Sequence, residues 1–343
     1  MTALPPLPSS AWAGHLWTVL PTLRDLVLRP RLAAMVPVEV PIVDDRFGAT
    51  SLSCSMARPL AAQDCVILVH GLGGHRHSAY VQRAARTLFA AGFATLAVDL
   101  RGADRRGGGF YHVAQSEDLA AVCASAVLRP FRRLFVLGFS MGGHVAIHFA
   151  ARPTDARLAG VAAFGTPLDL HAAQRHLDQP AQALYRRFVL HGLKSIYAAV
   201  AARHEVPSPL RAVRACRTFH EWDRLAIAPR YGYASPAAFY AANSAASVLP
   251  QLRVDTVLVA VEQDPIVPPA LVLPYTGCAP VGRLHVCCLP RGGHLHVPDG
   301  QGLGLGVSAR SLVGQLAAWW RRLPAEPLPF APARGAAPTS CTR

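Results

Sequence analysis

Three residues that lie far apart in the chain, Ser140, Asp264 and His294, are of the types that together form an activated nucleophile. A serine hydroxyl is a weak nucleophile unless a neighbouring base takes its proton. Histidine can act as that base, while a carboxylate on the far ring nitrogen fixes the tautomer and stabilises the imidazolium. These residue types therefore support acyl transfer through a covalent acyl-enzyme intermediate.

Ser140 is the central residue of Gly138-Phe-Ser-Met-Gly142, between an apolar run and a segment that is compatible with a helix. A Gly-x-Ser-x-Gly motif at a strand–turn–helix junction forms a sharp turn in which only glycine-sized neighbours fit. The pentapeptide alone is weakly specific, but its flanks at 134–137 and 144–151 supply the context that the motif requires. We predict a nucleophile at this turn; the alternative is a glycine-rich turn with an incidental serine.

The acid and the histidine each follow a predicted buried strand. One apolar run leads into Asp264, and a second run, residues 283–289, leads into His294. We assign Asp264 as the acid, with Glu262 as the alternative. His296 is interpreted as a neighbour of the site and not as its base.

A glycine-rich loop, His-Gly-Leu-Gly-Gly at 70–74, follows the apolar residues 65–69. Backbone N–H groups in such a loop can stabilise the negative oxygen of a tetrahedral intermediate. We assign the oxyanion donors to the N–H groups of Leu72 and of Met141, which follows the nucleophile. The alternative, a phosphate-binding turn, lacks the Lys-Ser/Thr ending of a P-loop. The residues expected to support the loop are His70, Gly71 and Gly73.

Strand and helix patterns alternate along the chain and predict a mostly parallel eight-stranded sheet with helices on both faces. The expected strands are 36–43, 50–57, 66–70, 94–98, 134–138, 160–164, 256–262 and 284–289. The expected helices of the sheet domain are 78–91, 115–128, 141–151 and 307–321. Ligands of such sheets bind beyond the carboxyl ends of the strands, where the serine, the acid and the histidine are expected to meet.

Several further segments carry a resemblance to a known family. They are His70-Gly-Leu-Gly-Gly74 with Tyr80, Asp99-Leu-Arg-Gly102, Tyr111-His112, Asp118-Leu119, Pro229-Arg-Tyr-Gly-Tyr233, Phe239-Tyr240 with Ser244, and Gly14-His-Leu-Trp-Thr18. Over residues 14–320 the chain resembles the α/β-hydrolase superfamily and, within it, the YheT-like branch, which is related to animal ABHD-type lipid-ester hydrolases. The resemblance implies the α/β-hydrolase fold and a Ser-Asp-His triad on the three residues named above. The chain departs from the branch at Gln263, where an aspartate is usual, and at His296, where glycine is usual.

About ninety residues separate the sixth and seventh predicted strands, which is too long for a simple crossover. Their helical patterns are 169–203, 208–216 and 236–247. We predict a helical cap at 166–249, inserted after strand 6 over an α/β-hydrolase core at 12–165 and 250–322. The alternative is a helical side domain that packs only on itself. Proline- and alanine-rich residues 1–11 and 323–343 are predicted to be disordered tails.

The chain has 343 residues, of which 52% are hydrophobic, and a formal net charge of +14. Its basic residues are dispersed arginines, with Lys194 the only lysine, so nucleic-acid binding is not predicted. A peripheral contact with anionic membrane surfaces stays open. Eight cysteines without a Cys-x-x-Cys spacing favour a reducing compartment. The absence of signal-peptide and membrane-spanning patterns then predicts a cytoplasmic protein.

The predicted function is hydrolysis of a carboxylic ester, medium-chain or lipid-like, a substrate class that follows from the apolar cap and from the resemblance. One alternative is acyl transfer to an alcohol by the same triad. Another, from a different class, is a non-catalytic ligand-binding protein on the same fold. No cofactor or metal ion is predicted. His75 and His77 are spaced for metal ligation but are interpreted as structural, and His144/His148 lack the His-Glu-x-x-His pattern of a zinc protease. The oligomeric state is left open.

Overall fold

The fold is built around one open β-sheet. In the computed structural model, which describes residues 11–28 and 35–324, eight strands lie in the order β1-β2-β4-β3-β5-β6-β7-β8. They are β1 (Val36–Asp44), β2 (Gly48–Ala57), β3 (Asp64–Val69), β4 (Ala94–Val98), β5 (Arg133–Phe139), β6 (Leu158–Phe164), β7 (Thr256–Val261) and β8 (Leu284–Leu289). Strand β2 is antiparallel to its neighbours β1 and β4, and the other pairs are parallel. The predicted mostly parallel eight-stranded sheet is confirmed.

The central strands are apolar runs because both faces of the sheet are covered. In β3, Ile67 and Val69 belong to one apolar layer, whereas Val66 and Leu68 belong to the other. Every side chain of β4 and of β7 is buried. Such runs are typical of parallel strands that have helices on both faces.

Helices form the two covering layers. They are α1 (Ala11–Leu28), α2 (Ala79–Ala90), α3 (Glu117–Ala124), α4 (Met141–Ala151), α5 (Leu170–Leu177), α6 (Ala183–Ala201), α7 (Leu210–Ala215), α8 (Phe219–Trp222), α9 (Ala228–Arg230), α10 (Pro236–Asn243) and α11 (Leu312–Arg322). Helices α2 and α11 contribute to one apolar layer, and α3 and α4 contribute to the other. The predicted helix 307–321 begins later than expected because Ser311 caps α11, its hydroxyl accepting from Gly314 N at 3.2 Å.

The connection between β6 and β7 contains α5 to α10, and we call it the helical insertion. The pattern at 169–203 forms two helices instead of one. Asp169 caps α5, its carboxylate accepting from Ala172 N at 2.9 Å. The chain then passes through the 3₁₀ turn Pro180–Gln182 before α6 begins. Pro180 explains the break, because proline has no N–H to donate within a continuous helix.

Helix α1 is an element that the sequence patterns did not predict. It packs against the loop that follows β7, where a Cβ on Gly14 would lie 1.7 Å from the carbonyl oxygen of Gln263. Only glycine allows the two backbones to approach so closely. Within the described ranges no helix is long and apolar enough to cross a membrane. Most of the two predicted tails, residues 1–10 and 325–343, lies outside the described residues.

Candidate active site

Ser140 lies at the junction between β5 and α4. Its φ of 51° and ψ of −123° form a conformation that residues with a side chain rarely adopt, and such strain is concentrated at functional sites. Ser140 N donates to the carbonyl oxygen of Phe164 at 2.7 Å, and Gly143 N donates to the carbonyl oxygen of Ser140 at 3.0 Å. The hydroxyl of Thr166 also donates to that oxygen at 2.9 Å. Neighbouring backbone and side-chain groups thus hold the strained turn.

Close backbone packing explains the two glycines that flank Ser140. A Cβ on Gly138 would lie 2.4 Å from the carbonyl oxygen of Gly142, and a Cβ on Gly142 would lie 2.3 Å from that of His70. A larger residue at either position would collide with backbone atoms. The same packing brings the end of β3 to the start of α4, so the 70–74 loop lies beside Ser140.

Asp264 and His294 are in direct contact. The Nδ1 atom of His294 lies 2.8 Å from Oδ2 of Asp264, whose side chain is fully buried. The other carboxylate oxygen accepts from Ile266 N at 2.8 Å and from Val267 N at 2.9 Å. These backbone donors orient the carboxylate towards the histidine. Glu262, the alternative acid, is exposed to solvent.

The ring of His294 lies beside the backbone that holds Ser140. A Cβ on Gly165 would lie 3.3 Å from both Cε1 and Nδ1 of the ring. Gly165 directly follows Phe164, whose carbonyl oxygen accepts from Ser140 N. The structure therefore brings the serine, the acid and the histidine together at the carboxyl edge of the sheet.

Helix α1 anchors the loop that carries His294. The N–H of His294 donates to Oγ1 of Thr18 at 2.8 Å, and the Thr18 hydroxyl donates to the carbonyl oxygen of Gly14 at 2.7 Å. A Cβ on Gly293 would lie 2.4 Å from each of these two oxygens, so glycine is needed there. No local pattern indicates this contact, because its partners are 276 positions apart in the chain. Residues 14–18 are part of the resemblance, which assigns them no role.

His70 supports the glycine-rich loop from a buried position. Its Nδ1 donates to the carbonyl oxygen of Gly71 at 2.7 Å, and its Nε2 accepts from Leu100 N at 3.1 Å. Because Nε2 is an acceptor, the proton is on Nδ1. Burial lowers the pKa of His70, which keeps the ring neutral.

Two tyrosines also hold this loop. The N–H of Gly71 donates to the hydroxyl of Tyr80 at 2.9 Å, and the N–H of Gly73 donates to that of Tyr111, also at 2.9 Å. Both tyrosines belong to segments that carry the resemblance, but no motif in the sequence assigns them this role.

Two N–H groups next to Ser140 stay available. Among the residues that the structure describes, the N–H of Leu72 and that of Met141 have no protein acceptor. A Cβ on Gly71 would lie 3.1 Å from the Cβ of Ser140, which places the loop against the nucleophile. Backbone donors that point at a developing negative oxygen are the main requirement of an oxyanion site.

Comparison with known proteins identifies the family of the chain. Residues 61–297 match the family described as serine aminopeptidase, S33. The chain belongs to this family of α/β hydrolases. The match confirms the predicted superfamily, while the YheT-like branch stays a prediction. A search of curated proteins gives no match.

Solved structures show the same fold as this hydrolase. The structure of 2,6-dihydroxy-pseudo-oxynicotine hydrolase is similar with a TM-score of 0.55 and 18% identity, over 90% of this chain and 71% of that chain. The esterase Pf2001 of Pyrococcus furiosus is similar with a TM-score of 0.53 and 17% identity, over 84% and 93% of the two chains. At these identities the likeness is one of fold.

The helical insertion of the hydrolase packs on two of the loops at the site. In α6, a Cβ on Gly192 would lie 2.7 Å from the carbonyl oxygen of Gly73. Ahead of α6, the side chains of His176 and Gln182 donate to the carbonyl oxygen of Pro265, at 3.1 and 3.0 Å. The insertion thus contacts the glycine-rich loop and the loop that follows Asp264. It does not pack only on itself.

A buried ion-pair network joins the insertion to the sheet. The guanidinium of Arg230 lies 2.7 Å from Oδ1 of Asp44, whose Oδ2 lies 2.7 Å from Arg101. Arg101 in turn pairs with Asp118 at 2.6 Å. Asp44 ends β1 and Arg230 ends α9, so one carboxylate links the two parts of the hydrolase.

Two further histidines that the sequence analysis considered, His144 and His296, have structural partners. His144 donates from Nδ1 to the carbonyl oxygen of Val113 at 3.0 Å and accepts at Nε2 from Ala245 N at 2.9 Å. The ring of His296 stacks on Trp17 with a centroid distance of 5.7 Å. Burial lowers the pKa of His296 to about 3. Among the described residues no group of three potential metal ligands occurs.

Proposed function

We propose that this hydrolase cleaves carboxylic esters through an acyl-enzyme intermediate. Ser140 is the nucleophile, His294 the base and Asp264 the acid that orients the base. The observation that carries the proposal is the convergence of three chain segments on Ser140: the Asp264–His294 pair at 2.8 Å, the strained turn, and the 70–74 loop.

The hydrogen bond between His294 and Asp264 determines which ring nitrogen takes the proton. With Nδ1 donating to the carboxylate, Nε2 is the free nitrogen that removes the proton from the Ser140 hydroxyl. The imidazolium that forms is stabilised by the carboxylate, and it later gives the proton to the leaving alcohol. A water molecule then attacks the acyl-enzyme along the same path and releases the acid.

The N–H groups of Leu72 and Met141 stabilise the tetrahedral intermediates. The hydrogen bonds from Gly71 and Gly73 to Tyr80 and Tyr111 hold the loop before the substrate arrives. A donor that is already in place needs no reorganisation when charge develops on the carbonyl oxygen.

The substrate class that we propose is a medium-chain or lipid-like ester. The elements next to the candidate nucleophile carry apolar side chains: Leu72, Met141 and Val189 are half-buried and pack on the apolar layer that includes α3 and α4. Val189 belongs to α6, and a Cβ on Gly73 would lie 3.0 Å from its carbonyl oxygen. The insertion then acts as a cap that excludes water and accommodates an acyl chain.

The test is hydrolysis of p-nitrophenyl esters of increasing acyl length, with the matching anilides measured in parallel because the family is described as an aminopeptidase. We expect the ester kcat/KM to rise from acetate to medium-chain acyl groups. We expect Ser140→Ala to lower kcat/KM by roughly 10³-fold or more and Asp264→Asn by roughly 10²-fold or more. Glu262→Gln, the matched control at the exposed acid, stays close to the wild type.

Adding an alcohol to the same assay distinguishes hydrolysis from acyl transfer, since a transferase forms the new ester as its main product. A folded wild-type protein that cleaves no ester, or a Ser140→Ala variant that keeps its activity, would contradict the proposal.

A further inference from the structure

Helix α1 presents an apolar stripe to solvent. The exposed side chains are spaced by three or four residues, which puts them on one face of the helix. Trp12 is 76% exposed, and the other members of the stripe are Leu16, Leu20 and Leu23. Helix α1 buries its other face, which includes Ala13 and Gly14, against the loops of the site. The stripe therefore makes no contribution to the packing of the described residues.

Helix α6 of the insertion presents two more exposed apolar side chains. Leu184 and Phe188 are 72% and 77% exposed and lie one turn apart. Helices α1 and α6 are neighbours, since Nδ1 of His15 lies 2.7 Å from the hydroxyl of Tyr185 and the two rings stack. We call the six side chains the α1–α6 face; they are Trp12, Leu16, Leu20, Leu23, Leu184 and Phe188.

The two helices that carry this face also border the candidate site. Thr18 of α1 accepts from the N–H of His294. In α6, Val189 is packed on Gly73, and Val189 directly follows the exposed Phe188. An object that covers the α1–α6 face would therefore lie next to the loops that hold the base and the candidate oxyanion donors.

Helix α6 is basic, whereas α1 contains one arginine, Arg24, and one aspartate, Asp25. Arg187 is exposed between Leu184 and Phe188, and α6 contains no acidic residue. Arg24 is exposed one position after the last leucine of the stripe. An apolar helical face that contains tryptophan or phenylalanine and is flanked by arginine is typical of helices that lie in the interface of an anionic bilayer. A second copy of the chain that met this face through its own α6 would instead bring like charges against each other.

We propose that the α1–α6 face docks the protein on an anionic lipid surface, with the mouth of the candidate site next to the bilayer. Docking itself is independent of the proposed ester hydrolysis. The part that rests on the proposed function is the consequence that a lipid-like ester enters the site from the bilayer.

The test is co-sedimentation of the full-length protein with vesicles. Ser140→Ala serves as the background, so that no vesicle lipid is hydrolysed. We expect binding to phosphatidylcholine vesicles that contain about one-third phosphatidylglycerol and weaker binding to phosphatidylcholine alone, because anionic lipid attracts the arginines. Replacing Leu184 and Phe188 by serine should lower the partition coefficient by roughly tenfold or more, since each buried apolar side chain contributes strongly to partitioning.

The matched control is Leu60→Ser with Val281→Ser. These side chains are apolar and fully exposed. They precede β3 and β8, at the edge of the sheet opposite to the candidate site. The control should bind vesicles like its parent. Circular dichroism establishes that each variant is folded.

Two results would overturn the docking proposal: a parent protein that binds neither vesicle, or serine variants of α6 that bind as well as the control. Light scattering provides a third. A parent dimer that the α6 variant converts to a monomer, without a change in vesicle binding, would assign the face to a second copy. Failure of the proposed hydrolysis is recognised separately, by loss of ester cleavage in the wild type while vesicle binding persists.

Discussion

Each member of the proposed triad is held by groups outside the triad. Two backbone N–H groups hold the carboxylate of Asp264, and Thr18 holds the backbone of His294. The strained backbone of Ser140 is fixed by Phe164 and Thr166. A site of this kind is positioned before the substrate arrives, which is what charge stabilisation in a transition state requires.

The Thr18 hydroxyl is a positioning group, and its removal should affect the rate more than binding. Thr18→Val keeps the shape of the side chain but removes the acceptor for His294 N, and one such hydrogen bond is worth about 1 kcal/mol. We expect kcat on a water-soluble ester to fall roughly fivefold, with KM within about twofold of the wild type.

Thr18→Ser keeps the hydroxyl and is the matched control, so its kcat should stay close to that of the wild type. Equal losses in the serine and valine variants would mean that Thr18 contributes only to packing, and the positioning role would be wrong.

Residue types and spacing predicted much of the candidate site. Ser140 was predicted from its pentapeptide, and Asp264 and His294 were predicted from their places in the loops that follow β7 and β8. The contact of Thr18 with His294 was not predictable in this way, because it depends on the packing of the two ends of the chain. The role of Tyr80 was not predictable either, because its hydroxyl contacts Gly71 only in the folded chain.

Among the elements, the junction between β1 and the helical insertion is built around the buried carboxylate of Asp44. Asp44 is buried and lies between Arg101 and Arg230. Its Oδ1 also accepts from Arg46 N and Phe47 N, each at 2.9 Å, and thereby shapes the turn to β2.

Asp44→Asn should destabilise the fold strongly, because it removes the shared charge from two buried guanidinium groups. We expect the free energy of unfolding, measured with urea, to fall by about 3 kcal/mol. Asp45→Asn is the matched control: Asp45 contacts the same Arg230 at 2.8 Å, but its side chain is 77% exposed. An exposed pair contributes less than about 1 kcal/mol. Equal losses in the two variants would contradict the role of the buried network.

The sheet could be predicted from the sequence because its buried strands are short apolar runs that end in turns or glycines. Two helical features could not. Helix α1 contains Pro21 and directs leucines to solvent, so its pattern does not look like that of a helix packed on a core. The break between α5 and α6 was missed at Pro180, because helical periodicity continues on both sides of it.

For the molecule as a whole, two properties depend on charge. At the surface, the proposed docking depends on the net charge of +14 and on the exposed α1–α6 face. Inside, several histidines are kept neutral by burial. His148 is one of them: its Nε2 donates to the carbonyl oxygen of Asn243 at 2.9 Å, and burial lowers its pKa to about 4.

The half-buried His148 should make the protein less stable in mild acid. Its ordinary pKa is 6.5 and its pKa in the fold is about 4, so between these values the unfolded chain binds a proton that the folded chain does not. The contribution of His148 is therefore complete above pH 6.5 and is lost as the pH falls towards 4. At about pH 5 the loss is roughly 2 kcal/mol.

Urea unfolding at about pH 7.5 and about pH 5 measures this effect. His148→Gln keeps an amide donor for Asn243 but cannot be protonated, so its stability should change less between the two pH values than that of the wild type. His220→Gln, at an exposed histidine, controls for removal of an imidazole. A His148→Gln variant with the same loss as the wild type would show that His148 is not the source.

The most direct test of the proposed triad is labelling of the purified protein with a fluorophosphonate, followed by peptide mapping. An activated serine attacks this reagent and is trapped as a stable adduct. We expect one adduct, on Ser140, with no labelling of Ser140→Ala, much slower labelling of Asp264→Asn, and labelling of Glu262→Gln at the wild-type rate. A folded wild-type protein that takes up no label, or takes it up at another residue, would contradict the acyl-enzyme mechanism.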